Sequence, residues 1–176
     1  MTNLLEGLCW LVIEGAPTPE AVAAALPWPT TREADGPRRL ALAPSIHEVS
    51  DEAFNLDRFA LFTHGAFAFL SKPTSLTVAC DAAMERALSA RFGVVWCLAS
   101  FGYAPAVVCF AHGAEVGRVD MIGVRPAGGL LGLAEALGNG GERAVIPRAF
   151  ERLVGAPWAE VFPREGATAT FWRRTP

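Results

Sequence analysis

The stretch that most constrains this chain runs from Phe92 to Ala114, where no Asp, Glu, Lys or Arg occurs. A helix of roughly 20 apolar residues spans a bilayer, so length alone admits a membrane segment. The interior of the stretch argues against one. Gly102, Tyr103, Ala104 and Pro105 stand at its middle, where a spanning helix needs continuity. On either side, Val94-Val95-Trp96-Cys97 and Val107-Val108-Cys109-Phe110 are β-forming runs. Two buried strands joined by a Gly/Pro turn account for the same residues, and no membrane association is expected.

The flanking residues extend this hairpin. His112-Gly113-Ala114 reads as a second turn, and Glu115 to Val124 as a third strand. In that strand Gly117, Val119 and Met121 share one face, and Val116, Arg118, Asp120 and Ile122 the other. Consecutive antiparallel strands with tight turns make a meander. Upstream, Asp81 is placed to cap a helix with apolar positions at Met84, Leu88 and Phe92, closed by Gly93. Phe59 to Leu70 alternates with a period of two on both sides of Gly65, as one bent strand or a hairpin.

Local punctuation sets the remaining elements. Thr18-Pro19-Glu20 opens a helix expected from Pro19 to about Leu26, because Thr satisfies an orphan N–H, Pro lacks one, and Glu meets the dipole. Trp28 to Arg39 reads as a loop inside a Pro-rich excursion near 27–44. Leu130–Leu137 and Pro147–Val154 read as helices ending at glycines, and Thr168 to Trp172 as an edge strand. With 176 residues, 52% of them hydrophobic, the chain should bury roughly 70% of its unfolded surface without disulfides or metal. The expectation is one α+β domain over 1–176, an antiparallel β-meander with helices packed on one face.

Candidate chemistry is sparse. The cysteines Cys9, Cys80, Cys97 and Cys109 stand apart among apolar or small neighbours, as buried reduced thiols do. Met1 to Ile13 has no positive n-region, and Glu6 interrupts the apolar stretch, so a cytoplasmic location is expected. His47, His64 and His112 stand at no metal-ligand spacing, and neither a metal nor a cofactor is expected. Gly128-Gly129-Leu130-Leu131-Gly132 lacks both the P-loop ending and the dinucleotide fingerprint. A thiol nucleophile needs an imidazole and an orienting group. Cys109, His112 and Asp120 form the local set of those types, though positions three apart point to opposite faces of a regular strand. Cys97 with His64 is a further pairing of the same kind.

Charge points away from nucleic acid. The net charge is -3, the basic residues are arginines apart from Lys72, and Arg38-Arg39 and Arg173-Arg174 are isolated doublets. Acid gathers in Glu48, Asp51, Glu52 and Asp57, a segment able to meet a basic protein surface. Arg118 and Asp120 are expected to pair on one strand face and to contribute to the same recognition.

Several strings resemble a family of small, uncharacterised bacterial α+β domains. They are Gly15-Ala16-Pro17-Thr18-Pro19-Glu20-Ala21-Val22, Ala87-Leu88-Ser89 followed by Val94-Val95, the glycine turn at Gly113, and Leu133-Ala134-Glu135-Ala136-Leu137. The Pro-rich insertion before Leu40 and the Trp-rich C-terminus depart from that pattern. The resemblance implies an α+β fold and a binding role, and it transfers no catalytic residue.

The leading expectation is a non-enzymatic cytoplasmic domain that binds another protein, as an immunity or antitoxin-like partner of a toxin. The alternatives are a small thiol-dependent enzyme or ligand-binding domain built on His64, Cys109, His112 and Asp120, and a structural homo-oligomer that covers an apolar surplus.

Overall fold

The computed structural model describes residues 8–40, 58–73, 82–101, 104–120, 123–125, 145–161 and 167–175. The strands are β1 (Leu8–Glu14), β2 (Thr30–Arg32), β3 (Arg38–Leu40), β4 (Arg58–His64) and β5 (Phe67–Pro73), then β6 (Val94–Phe101), β7 (Ala104–Ala111), β8 (Ala114–Asp120), β9 (Gly123–Arg125) and β10 (Ala167–Arg174). The helices are α1 (Pro19–Ala24), α2 (Ala82–Phe92), α3 (Val145–Val154) and α4 (Trp158–Val161). They pack on a 10-stranded antiparallel sheet of order β2-β10-β4-β5-β1-β6-β7-β8-β9, with β3 also paired to β10.

The charge-free stretch forms β6 and β7, in register from Val94↔Ala111 to Phe101↔Ala104. Among the described residues no helix is long and apolar enough to cross a membrane. Phe59 to Leu70 resolves as the hairpin β4–β5, whose His64↔Phe67 pairing leaves Gly65 and Ala66 as the loop. Gly65 takes φ 56 there, a conformation that costs glycine nothing. The Thr18 signal holds as well, since Thr18 Oγ1 accepts the Ala21 N–H at 3.2 Å and Pro19 starts α1.

The strand β1 lies at the centre and explains the sheet's two-sided character. Its Trp10, Leu11, Val12 and Ile13 are at most 1% exposed, and burying a large apolar side chain contributes roughly 1.5–3 kcal/mol. Leu11 and Ile13 face a core closed by Val22, Ala23 and Leu26 of the α1 region and by Met84 and Leu88 of α2. Trp10 and Val12 face the other core, closed by Ala149 and Phe150 of α3 and Val161 of α4. The antiparallel sheet with helices against it is as expected, but the helices cover both faces rather than one. A strand apolar on both sides requires this, because either face left bare would stay in water.

Three local readings change. Glu115 to Val124 is not one strand: β8 ends at Asp120 and β9 pairs back on it through Val119↔Val124. The loop expected at 28–39 contains β2 and most of β3, which pair with opposite halves of β10. Consequently β10 is not an edge strand but lies inside the sheet, between β4 and those short pieces. Asp81, the helix at 130–137 and the segment 41–57 lie outside the described residues.

Candidate functional site

The expected thiol triad does not assemble. Cys109 stands opposite Trp96 and Gly117 and belongs to the core closed by α3. Burial, then the nearby Glu14 charge, pushes its thiol from 9.0 up to about 11. A thiol so held is protonated at neutral pH and is a poor nucleophile. His112 lies in the β7–β8 turn with φ 50, exposed to solvent, and its N–H donates to the Gly93 carbonyl at the end of α2 (3.0 Å). That helix covers the face opposite Cys109. Asp120 ends β8 opposite Gly123, and its side chain is outside the described residues. The pairing of Cys97 with His64 fails on parity. Cys97 joins the α2-side core, whereas His64 follows Ala60 and Phe62 in alternation toward the α3 side. His64 and Cys109 share a face, but β5, β1 and β6 intervene, a separation of about 19 Å at the usual strand spacing. Among the described residues no group of His, Cys, Asp or Glu is placed to hold a metal ion.

The expected recognition residues divide. Glu48, Asp51, Glu52 and Asp57 lie outside the described residues. Arg118 forms a bidentate pair with Glu115, with both contacts at 3.0 Å. Positions three apart face opposite ways in a regular strand, so this pair needs a physical cause. The register shift between Cys109 and Phe110 supplies it: Glu115 opposes Phe110, Gly117 opposes Cys109, and Val116 is the extra residue of a β-bulge. The bulge resets parity and brings Glu115 and Arg118 to one face. As a half-exposed pair it contributes no more than about 1 kcal/mol.

At the end of β1, Glu14 accepts the Trp96 Nε1–H at 3.1 Å and stands opposite Phe67. Gly15 and Ala16 follow with φ 88 and 44, and both N–H groups donate to the Ala66 carbonyl at 3.0 Å. The left-handed Ala16 is strained and is held by that shared acceptor. This lock fixes Glu14 beside the β4–β5 turn.

The best-organised polar surface is one that the sequence shows as scattered fragments. Pairing of β10 with β2 sets Arg173 opposite Thr31 and Arg174 opposite Thr30, while β3 sets Arg38 opposite Ala169 and Arg39 opposite Thr168. On the other side of β10, Arg58 stands opposite Arg173. Arg58 donates to Glu33 at 2.9 Å and lies over the Phe171 ring, 5.0 Å from its centroid. Arg174 lies over Trp28 at 4.9 Å, and Arg32 pairs with Glu20 at 2.9 Å. Arg173 reaches Glu33 at 3.9 Å and keeps 55% of its side chain exposed. Backbone bonds Glu33 N–H to Phe171 O (2.9 Å) and Thr175 N–H to Pro29 O (3.0 Å) fasten the excursion to β10. Each arginine doublet is unremarkable alone, and the one signal in the sequence is Thr30-Thr31, β-formers among prolines. In comparison with known proteins, the chain matches no family model, no curated protein and no solved structure.

Proposed function

We propose that this chain is a non-enzymatic domain that binds another protein through the edge made by β2, β3 and β10, in the manner of a cytoplasmic immunity or antitoxin-like domain occluding its partner. The observation that carries this reading is the pair of stacked arginines, Arg58 on Phe171 and Arg174 on Trp28, with Arg58 also held by Glu33. Arginine and tryptophan are enriched at interface hot spots because they bury large area and bond at fixed geometry. Stacking on a ring removes rotamer freedom before any partner arrives, which lowers the entropy lost on binding.

The buried, protonated Cys109 supports binding over thiol catalysis. Among the described residues Val116, at 37%, is the large hydrophobic side chain left exposed, so none of them presents an apolar face that a second copy would cover. The test is photocrosslinking in the producing cells, with p-benzoylphenylalanine replacing the exposed Thr31 in one experiment and the exposed Ala114 in another. A different protein crosslinked from residue 31 and not from residue 114 is the expected result. Self-crosslinks alone, or none from either place, overturn the reading.

A further inference from the structure

We infer that the open end of the α3-covered sheet face binds a guanidinium cation, held between the Glu14 carboxylate and the Phe67 ring. Side chains on neighbouring antiparallel strands line up in rows across a sheet. One row runs His64, Phe67 and Glu14, since His64 stands opposite Phe67 and Phe67 opposite Glu14. The next row inward, Phe62, Phe69 and Val12, is buried, with Phe150 of α3 against Phe69. Cover stops short of the outer row: His64 and Phe67 are only half-buried, and Glu14 is exposed. The half-buried Trp96, opposite Val12 in the inner row, bridges the two rows by donating its Nε1–H to Glu14 Oε1 at 3.1 Å. This place lies apart from the proposed protein-binding edge, because β10, β4 and β5 stand between β2 and β1.

Glu14 is held in place without being neutralised. The indole is an uncharged donor on one oxygen, and a carboxylate has about four acceptor sites, so most remain open. Among the described residues no arginine or lysine pairs with Glu14. Its charge acts on its surroundings, adding to burial in pushing the Cys109 thiol up. The backbone behind it is strained: Gly15 and the left-handed Ala16 (φ 44) both donate to the Ala66 carbonyl, which fixes Glu14 against the β4–β5 turn. Strain of this kind persists mainly where a site needs its geometry held. The ligand follows from a filled counterpart in the same molecule. Arg58 lies 5.0 Å over the Phe171 ring while donating to Glu33 at 2.9 Å, and Glu14 beside Phe67 offers a guanidinium the same ring and carboxylate. A planar guanidinium can stack on the ring while its N–H edge meets the carboxylate. An ammonium is more strongly hydrated and cannot stack in this way.

The guanidinium can come from an arginine of a polypeptide or from a free guanidino compound, and the probes distinguish them. The full chain, labelled with nitrogen-15, is titrated at constant ionic strength with methylguanidinium and with an N-acetyl-Gly-Arg-Gly amide, beside the same peptide carrying citrulline or lysine. The readout is the Trp96 indole N–H resonance, assigned from a Trp96→Phe variant. The expected result is a saturable shift with a dissociation constant of roughly millimolar order, produced by both guanidinium probes, weaker for lysine and absent for citrulline. Glu14→Gln keeps an acceptor for the indole and should weaken binding about tenfold. Phe67→Leu should weaken it about threefold. Because Glu14 is exposed, the Gln variant leaves the core untouched, and it decides the matter alone if Phe67→Leu does not fold. An arginine peptide that binds several-fold tighter than methylguanidinium supports a polypeptide source, and equal binding supports a free compound. No shift with either guanidinium probe, an equal shift with citrulline, or undiminished binding in Glu14→Gln overturns the inference. Lysine binding as tightly as arginine overturns the assignment to a guanidinium.

Discussion

Replacing Thr170 by Val tests whether β10 is fastened to the sheet by the bond that the structure shows. Thr170 is 9% exposed, and its hydroxyl donates to the Leu61 carbonyl (3.2 Å) while accepting the Trp172 Nε1–H (3.1 Å). Valine keeps the shape and removes both bonds. Trp172 is 8% exposed, so its indole N–H would be left buried without this acceptor, at a cost of about 1–3 kcal/mol. For a domain of this size about 2 kcal/mol lowers Tm by about 4–8 °C. Urea unfolding followed by tryptophan fluorescence should show a lower midpoint with an unchanged m-value. Thr170→Ser keeps the hydroxyl and should lose about 1 kcal/mol or less. In a Trp172→Phe background there is no N–H to orphan, so Thr170→Val should cost about 1 kcal/mol less than in the parent. A Thr170→Val protein within about 0.5 kcal/mol of the parent, or strictly additive double mutants, would refute the reasoning.

Two further outcomes are expected. Because burial pushes the folded Cys109 thiol up to about 11 from 9.0, its contribution to stability is unchanged below pH 9 and falls as pH rises from 9 toward 11, by roughly 2–3 kcal/mol at the upper end. Cys109→Ala should flatten that alkaline decline in a pH series of urea melts, and native Cys109 should resist iodoacetamide near neutral pH; rapid labelling there would revive the thiol-enzyme alternative. Phe150, fully buried and tilted against Phe69 at 5.8 Å between centroids, anchors α3, so Phe150→Ala should destabilise by about 3–5 kcal/mol in the same assay. A loss below about 1 kcal/mol would mean that α3 does not close that core.

How much of the fold is legible in the residues depends on how local the physics is. Thr18-Pro19-Glu20 acts within one helical turn, and the alternation around Gly65 within one hairpin, so the sequence alone carries both. The strand β2 is three residues long and exists through Trp172↔Arg32 and Arg174↔Thr30, partners at the far end of the chain that leave no mark among the prolines. Met121-Ile122 continues the strand alternation without a turn residue, which is why the β8–β9 hairpin reads as one strand. Parity arguments fare unevenly for the same reason. The rule that places Cys97 and His64 on opposite faces holds along regular strands, and it misplaces Glu115 because the bulge at Val116 is visible only in the register with β7. The arginine edge is hidden most completely, because its members are scattered along the chain and share nothing until β10 pairs.

The central place of β1 has a consequence during synthesis. Its strand neighbours are residues 67–73 on one side and 95–99 on the other, and the face of Trp10 and Val12 is closed by Ala149, Phe150 and Val161, so that face emerges from the ribosome well before anything can cover it. At about 5–20 residues per second the exposed interval lasts seconds, far longer than hydrophobic collapse takes. The segment that ends as the most protected strand is thus, for that interval, the most adhesive part of the nascent chain. A chaperone that holds apolar β-strands, or a partner already waiting at the exit tunnel, would meet this protein first through the residues that the finished fold conceals.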